Sequence, residues 1–154
     1  MSNEINQLSF REAQEDDLPT IAALLSDDAL GAMRDGVHLL PAYTSALQAI
    51  KAQAGNSVIV AVLNTEVVGV LQLTMIPGLS RGGMIRAQIE GVRVSSKHRG
   101  LGIGQQLFKF GIDQARNAGC GLLQLTSDKQ RSDALRFYET LGFKASHEGF
   151  KLSL

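Results

Sequence analysis

The stretch Val-Arg-Val-Ser-Ser-Lys-His-Arg-Gly-Leu-Gly-Ile-Gly, residues 92–104, leaves this chain few ways to fold. Ahead of it, Met84 to Val94 is a β-type run with Gly91 inside it. Behind it, Leu107, Phe108, Gly111, Ile112 and Ala115 recur at helical spacing as far as Gly119, and Gly121 to Thr126 is a second β-type run. Strand, glycine-rich turn, helix, strand is a βαβ unit, which closes right-handed with its two strands parallel. A helix that opens through glycines presents backbone N–H groups, at the positive end of its dipole, to whatever lies in front. The natural guest is a phosphate.

The rest of the chain arranges itself around that unit. Leu8 to Ala13 reads as a short strand. Asp16 or Asp17 is placed to cap a helix bearing Leu18, Ile21, Ala22, Leu24 and Leu25 on one face, with Pro19 tolerated in its first turn. The pattern weakens from Asp27 to Pro41, a candidate lid, and returns as a helix over Ala42 to Ala54 that stops at Gly55. Ser57 to Leu63 and Val67 to Met75 are β-type runs separated by Asn-Thr-Glu and should pair antiparallel. Pro77 to Gly83 reads as a flexible turn. Gly91 marks a bulge or a close backbone approach in the next strand. Asp133 to Leu141 reads as a short helix stopped by Gly142, and Phe143 to His147 and Phe150 to Leu154 as a closing pair of strands. The expectation is one α/β domain over residues 1–154 with a mixed sheet.

Composition narrows the function classes. Lys plus Arg equals Asp plus Glu at 15 each, so no global field draws the chain to nucleic acid or an acidic membrane, and any anion contact must be local. One cysteine, Cys120, excludes an internal disulfide, and no Cys/His set has zinc-ligand spacing, so no metal is expected. The first residues, Met1 to Gln7, lack a basic start and an apolar stretch. No run elsewhere approaches the roughly 20 apolar residues of a spanning helix. The expected location is the cytoplasm.

Arg99-Gly100-Leu101-Gly102-Ile103-Gly104 is not a P-loop, which needs a longer gap and a Lys-Ser/Thr pair. Nor is it the dinucleotide-binding G-x-G-x-x-G, since Leu107 stands where the last glycine belongs. It resembles motif A of the GNAT superfamily of N-acetyltransferases, R/Q-x-x-G-x-G/A, through Arg99, Gly102 and Gly104 after a strand ending Val-x-Val. Residues 134–143, Ala-Leu-Arg-Phe-Tyr-Glu-Thr-Leu-Gly-Phe, are similar to the family's second signature, A-x-x-x-Y-x-x-x-G-F. The order of elements is similar over essentially the whole chain. The resemblance implies a mixed, mostly antiparallel sheet flanked by helices and splayed at an acetyl-CoA site. It places Arg99, Gly100, Leu101, Gly102, Ile103, Gly104 and Gln105 on the pyrophosphate, and Val92, Arg93 and Val94 along the pantetheine arm. Residue types and spacing by themselves imply only an anion cradle.

Acetyl transfer to an amine needs a deprotonated amine, a polarised thioester carbonyl and a proton for the departing thiolate. Backbone N–H groups freed where the strand bulges can hold the carbonyl. Family members often place a tyrosine at the position of Tyr138, and a phenol of pKa ~10 can donate to a thiolate, which makes Tyr138 the candidate acid. The competing reading packs Tyr138 with Phe137 and Leu141 as core. Many relatives carry a glutamate in the strand of Glu90, the candidate base, which reaches the amine directly or through water. Its alternative is a solvated carboxylate or a partner of Arg86 or Arg93. By simple alternation Glu90 and Val92 share one face and Gly91 and Arg93 the other, unless the bulge intervenes.

The chain also departs from the pattern. Arg131 stands where the family often has an asparagine on the pantetheine arm, and Arg131 or Lys129 is either a phosphate contact or a solvated loop charge. Cys120 reads as a small buried residue, so no acetyl-cysteine step is expected. His98 lies beside the phosphate turn, but nothing groups it with His38 and His147 as metal ligands. Asp27 and Asp28 either attract a cationic amine or merely end a helix.

The resemblance implies an acetyl-CoA-dependent N-acetyltransferase acting by direct attack in a ternary complex on a primary amine, of a small molecule in the first instance. A protein or peptide acceptor is the alternative within the same chemistry, and a non-catalytic acyl-CoA sensor module the alternative outside it. The family's frequent dimers raise a homodimer. Neither nucleic acid nor membrane is an expected partner.

Overall fold

A computed structural model describes residues 7–154; residues 1–6 of the expected domain lie outside the described residues. The chain forms two compact units, one up to Gln124 and one over Leu125–Leu154.

In the first unit five strands lie in sequence order: β1 (Leu8–Glu12), β2 (Asn56–Leu63), β3 (Glu66–Ile76), β4 (Arg86–Val94) and β5 (Leu122–Gln124). The first four pair antiparallel and β5 joins β4 parallel, so the sheet is mixed and mostly antiparallel, as expected. The β2–β3 hairpin turns on Asn64 and Thr65, both at positive φ (58° and 125°), where strand twist selects a left-handed turn.

Helices cover both faces. On one side lie α1 (Leu18–Leu25) and α3 (Leu40–Ala52). Their Leu18, Ile21, Leu24 and Leu47 pack with Val60, Val67 and Val70, and with the half-buried Val58 and Val62. The other face takes α5 (Ile103–Asn117), where Leu107 and Phe108 are fully buried. Gly111 lets α5 approach closely, since a Cβ there would lie 3.1 Å from Ile89 Cδ1 and 3.5 Å from Leu71 Cδ2. Phe110 stacks on Phe10 of β1 with ring centroids 4.9 Å apart.

Some expectations are refined. The weak stretch after Asp27 holds a single helical turn, α2 (Ala29–Ala32), and a 3₁₀ turn at Val37–Leu39. The next helix starts at Leu40 rather than Ala42, because Pro41 in the first turn costs no hydrogen bond. Pro77 to Gly83 includes one distorted turn, α4 (Ser80–Gly83), with Arg81 and Gly82 at positive φ. Asp17 does not cap α1. Its carboxylate accepts instead from the Gln14 backbone N–H at 2.8 Å and both Arg11 guanidinium nitrogens at 2.7 and 2.9 Å.

The second unit, taken by itself, carries α6 (Ala134–Thr140), with Asp133 at its N-cap position and Gly142 at φ 94° just past its end. The expected closing strands at Phe143–His147 and Phe150–Leu154 are absent. Neither segment is in a β ladder, and Phe150 and Leu152 stand exposed. Alternation of apolar residues marks a segment able to be a strand, but a strand exists only where a neighbouring edge accepts its backbone bonds.

Candidate active site

The site grows from an irregularity in β4. Val70 pairs with Arg93 and Gln72 with Glu90, so Leu71 alone stands against both Gly91 and Val92. Gly91 takes φ 63°, a left-handed conformation that any side chain would strain, and a bulge forms at the glycine, as expected. Paired residues point to the same side of a sheet. Glu90 and Arg93 therefore share the α1–α3 face, which corrects the simple alternation that put Glu90 with Val92. Arg93 Nη1 donates to the Val92 carbonyl at 2.8 Å, bracing the bulge.

On its other edge β4 is paired only through Arg86, Ala87 and Gln88, opposite Leu122, Leu123 and Gln124. From Ile89 onward no strand among the described residues pairs with that edge. The half-buried Val92, Arg93 and Val94 lie on this unpaired run.

Beyond β4 a 3₁₀ turn (Ser96–His98) leads to the glycine loop. Gly100 and Gly102 sit at φ 82° and 74°, and a Cβ on either would meet no atom within 4 Å. Packing therefore does not demand glycine there. The backbone conformation does, and the space in front stays open. Gly102 is the N-cap of α5, no side chain caps the helix, and its first backbone bond runs from the Gln106 N–H to the Gly102 carbonyl. The N–H groups of Ile103, Gly104 and Gln105 thus project from the helix end with its dipole behind them. Ile103 anchors the turn in the core, Arg99, Leu101 and Gln105 are exposed, and Gly104 is half-buried. His98 holds Nδ1 out of solvent with no hydrogen-bond partner among the described residues.

Glu90 belongs to a row of polar side chains that crosses four strands. Gln88 Nε2 lies 3.4 Å from Glu90 Oε1, and Gln124 Nε2 donates to Gln88 Oε1 at 3.1 Å. Across the ladder Gln72 Nε2 and Thr74 Oγ1 both donate to Asn56 Oδ1, at 3.0 and 3.2 Å. Sequence reasoning misses Gln72, Gln88 and Gln124. Gln72 and Gln124 are each a lone amide in a largely apolar β-type run, and Gln88 alternates with Arg86 and Glu90; that is the available signal. Neither Arg86 nor Arg93 forms an ion pair with Glu90 among the described residues.

In the second unit Tyr138 is half-buried among aromatic neighbours, 5.7 Å from Phe137 and 6.1 Å from Phe143 between ring centroids. The same unit carries Lys129, which is exposed, and Arg131, which is half-buried.

The weaker candidates resolve into structure. Asp28 caps α2, accepting from the Gly31 N–H. Tyr43 donates to Asp35 Oδ1 at 2.8 Å and accepts from the Gly36 N–H at 3.1 Å, tying the candidate lid to α3. Burial pushes the Tyr43 phenol up, and Asp35 adds to this against the Gly36 N–H. Cys120 Sγ lies 3.3 Å from Met75 Sδ, and burial raises its thiol pKa, the wrong direction for a nucleophile. Among the described residues no set of three His, Cys, Asp or Glu is grouped to hold a metal ion, and no helix is long and apolar enough to cross a membrane. A cavity of about 210 Å³ lies at the β2 end of the polar row, lined by Glu12, Lys51 and Asn56 among others.

Comparison with known proteins converges on one family. Residues 13–143 match the family described as Acetyltransferase (GNAT) family. The aminoalkylphosphonate N-acetyltransferase of Salmonella typhimurium is 38% identical over 94 residues, 61% of this chain and 60% of that one. The glucosamine 6-phosphate N-acetyltransferase of Trypanosoma brucei brucei is 35% identical over 89 residues, 58% of each chain. The match thus spans about three fifths of these curated relatives. A crystal structure described as a transcriptional regulator from Bacillus halodurans C-125 superimposes with a TM-score of 0.91 at 50% identity, covering 96% of this chain and 99% of that one.

Proposed function

The chain belongs to the GNAT acetyltransferase family, and from that premise we propose that it moves the acetyl group of acetyl-CoA to a primary amine of a small molecule by direct attack in a ternary complex. One arrangement carries the reading: an unpaired, bulged edge of β4 leads through two left-handed glycines to an uncapped helix end. The helix end, from Arg99 to Gln105, suits a pyrophosphate, and Val92 to Val94 suit the amide-rich arm that follows it. In this reading N–H groups at the bulge polarise the thioester carbonyl.

In this reading Glu90 takes the proton of the ammonium acceptor, directly or through water. The freed nitrogen attacks the thioester carbon, the C–N bond forms and the C–S bond breaks, and the second proton shed by the new amide nitrogen restores the phenol of Tyr138 once it has protonated the leaving group. Tyr138 gives its proton to the departing CoA thiolate. The names of both curated relatives describe a small amine that also carries a phosphorus oxyanion. We place the acceptor of this chain in that class.

The test has two stages. Calorimetry should show CoA binding to the folded protein, and an absence of heat at millimolar CoA would overturn the cradle. Thiol release from acetyl-CoA is then followed over aminoalkylphosphonates, glucosamine 6-phosphate, polyamines, amino acids, aminoglycosides and peptides. Turnover with a phosphorus-bearing amine supports the class, whereas preference for peptides supports the alternative of protein acetylation. CoA binding without turnover on any amine supports a sensor. Tyr138→Phe at full turnover would remove the acid role. The description of the Bacillus halodurans neighbour raises regulation as a further reading; the net charge of zero speaks against a general affinity for DNA.

A further inference from the structure

We propose that Gln88 is a positioning residue that aims the Glu90 carboxylate, as the middle of an amide relay beginning at Gln124. The inference rests on Glu90 serving as the base.

Residues two apart on a strand share a face, so Gln88 and Glu90 stand side by side on β4. An ionised carboxylate only accepts hydrogen bonds. Gln88 must therefore offer Glu90 its NH₂ group, at 3.4 Å, which leaves its carbonyl for the NH₂ of Gln124 at 3.1 Å. Glu90 thereby sets the polarity of the whole relay. The amide directly across the ladder, Gln72, sends its NH₂ to Asn56, where Thr74 donates to the same oxygen.

The position of the relay gives it purpose. Gln88 is the last β4 residue with a partner on β5, and Glu90 is the last before the bulge. The relay runs from the firmly paired end of β4 to a glutamate that is solvent-exposed and would otherwise sample many rotamers. A base held in one orientation reaches the amine proton more often. The 3.4 Å separation is long for a resting hydrogen bond, and such contacts tighten when the substrate binds.

The experiment is steady-state kinetics with glucosamine 6-phosphate as acceptor, or with an aminoalkylphosphonate if it turns over faster. Gln88→Leu should lower kcat about tenfold, the lower end of what one hydrogen bond to a charged group is worth, since the contact is exposed. KM for acetyl-CoA and Tm should stay unchanged. Gln124→Leu, one step further out, should lower kcat about threefold. In the Glu90→Gln background Gln88→Leu should cost nothing more, because the group it aims is gone. If the leucine variant melts early, Gln88→Met, unbranched and of similar volume, gives the same reading. Wild-type kcat in Gln88→Leu, or losses that multiply independently with those of Glu90→Gln, would overturn the relay. Glu90→Gln at full turnover would overturn the base itself and the relay with it, so the two failures are told apart.

Discussion

Glu90 stands directly across the β3–β4 ladder from Gln72, yet the next inward pair joins Val70 to Arg93, with one residue between on β3 and two on β4. That mismatch interrupts a regular strand at the edge proposed to hold the pantetheine arm. It places Glu90 and Arg93 on the face shared with α1 and α3. It also leaves Gly91 and Val92 out of step with the ladder, which resumes at Arg93 and Val94, at the point where β5 has already ended.

Gly91 is the pivot of the bulge. At φ 63° with no atom within 4 Å of a Cβ, Gly91→Ala meets no clash and suffers only the left-handed backbone penalty, about 1–2 kcal/mol. Tm should fall by roughly 2–8 °C. If the chain escapes the strain by flattening the bulge, CoA affinity and turnover should fall further than stability does. Calorimetry with CoA beside a melting curve measures both.

Gly102→Ala probes the helix end. The φ of 74° predicts a stability cost of about 1 kcal/mol, and the added methyl enters the open space in front of the first turn of α5. CoA should bind about tenfold more weakly, a loss of ~1.4 kcal/mol in binding. An unchanged Kd would show that no ligand approaches this backbone.

The Arg11–Asp17 pair makes stability depend on pH. Hydrogen bonds from Arg11, and then from the Gln14 N–H, lower the Asp17 pKa against the opposing cost of burial. A depressed folded-state pKa means that the contribution is complete above the unfolded value, about pH 4, and is lost as pH falls through the folded value. Asp17→Asn should destabilise the protein by about 1 kcal/mol at neutral pH, since Arg11 is partly exposed. Part of the acid-side loss of stability should vanish with it. Urea melts at pH 7 and pH 3 give the comparison.

The hairpin turn stores strain that can be removed. Thr65 is β-branched and holds φ 125°. Thr65→Gly creates the Asn-Gly pair that two-residue hairpins favour and should raise stability by about 1 kcal/mol, read as a higher Tm with turnover unchanged.

Elements with dense local signals are legible in the residues themselves. The glycines around 100–104, the apolar spacing of α5 and the Gly119 stop mark that helix within a residue or two. Gly91 announces the bulge because an isolated glycine in a β-type run has few other reasons to be there. Phe143 to His147 and Phe150 to Leu154 mislead, because alternation in a segment says nothing about whether an edge is waiting for it. Asp17 misleads in a similar way. Its position suits a cap, but Arg11 of β1 competes for the same oxygens from six residues away.

From its residue order alone the chain settled which backbone torsions are allowed and where, and so the strand, the glycine turn and the helix that together form the proposed anion cradle. Tertiary structure decided which side chains meet. The row Gln124, Gln88, Glu90 and its neighbour Gln72, Asn56, Thr74 exists only through pairing between strands, since the face on which Arg93 lies depends on a bulge registered against Leu71. Torsional preference acts within a few residues, whereas register is fixed by contacts made across the sheet.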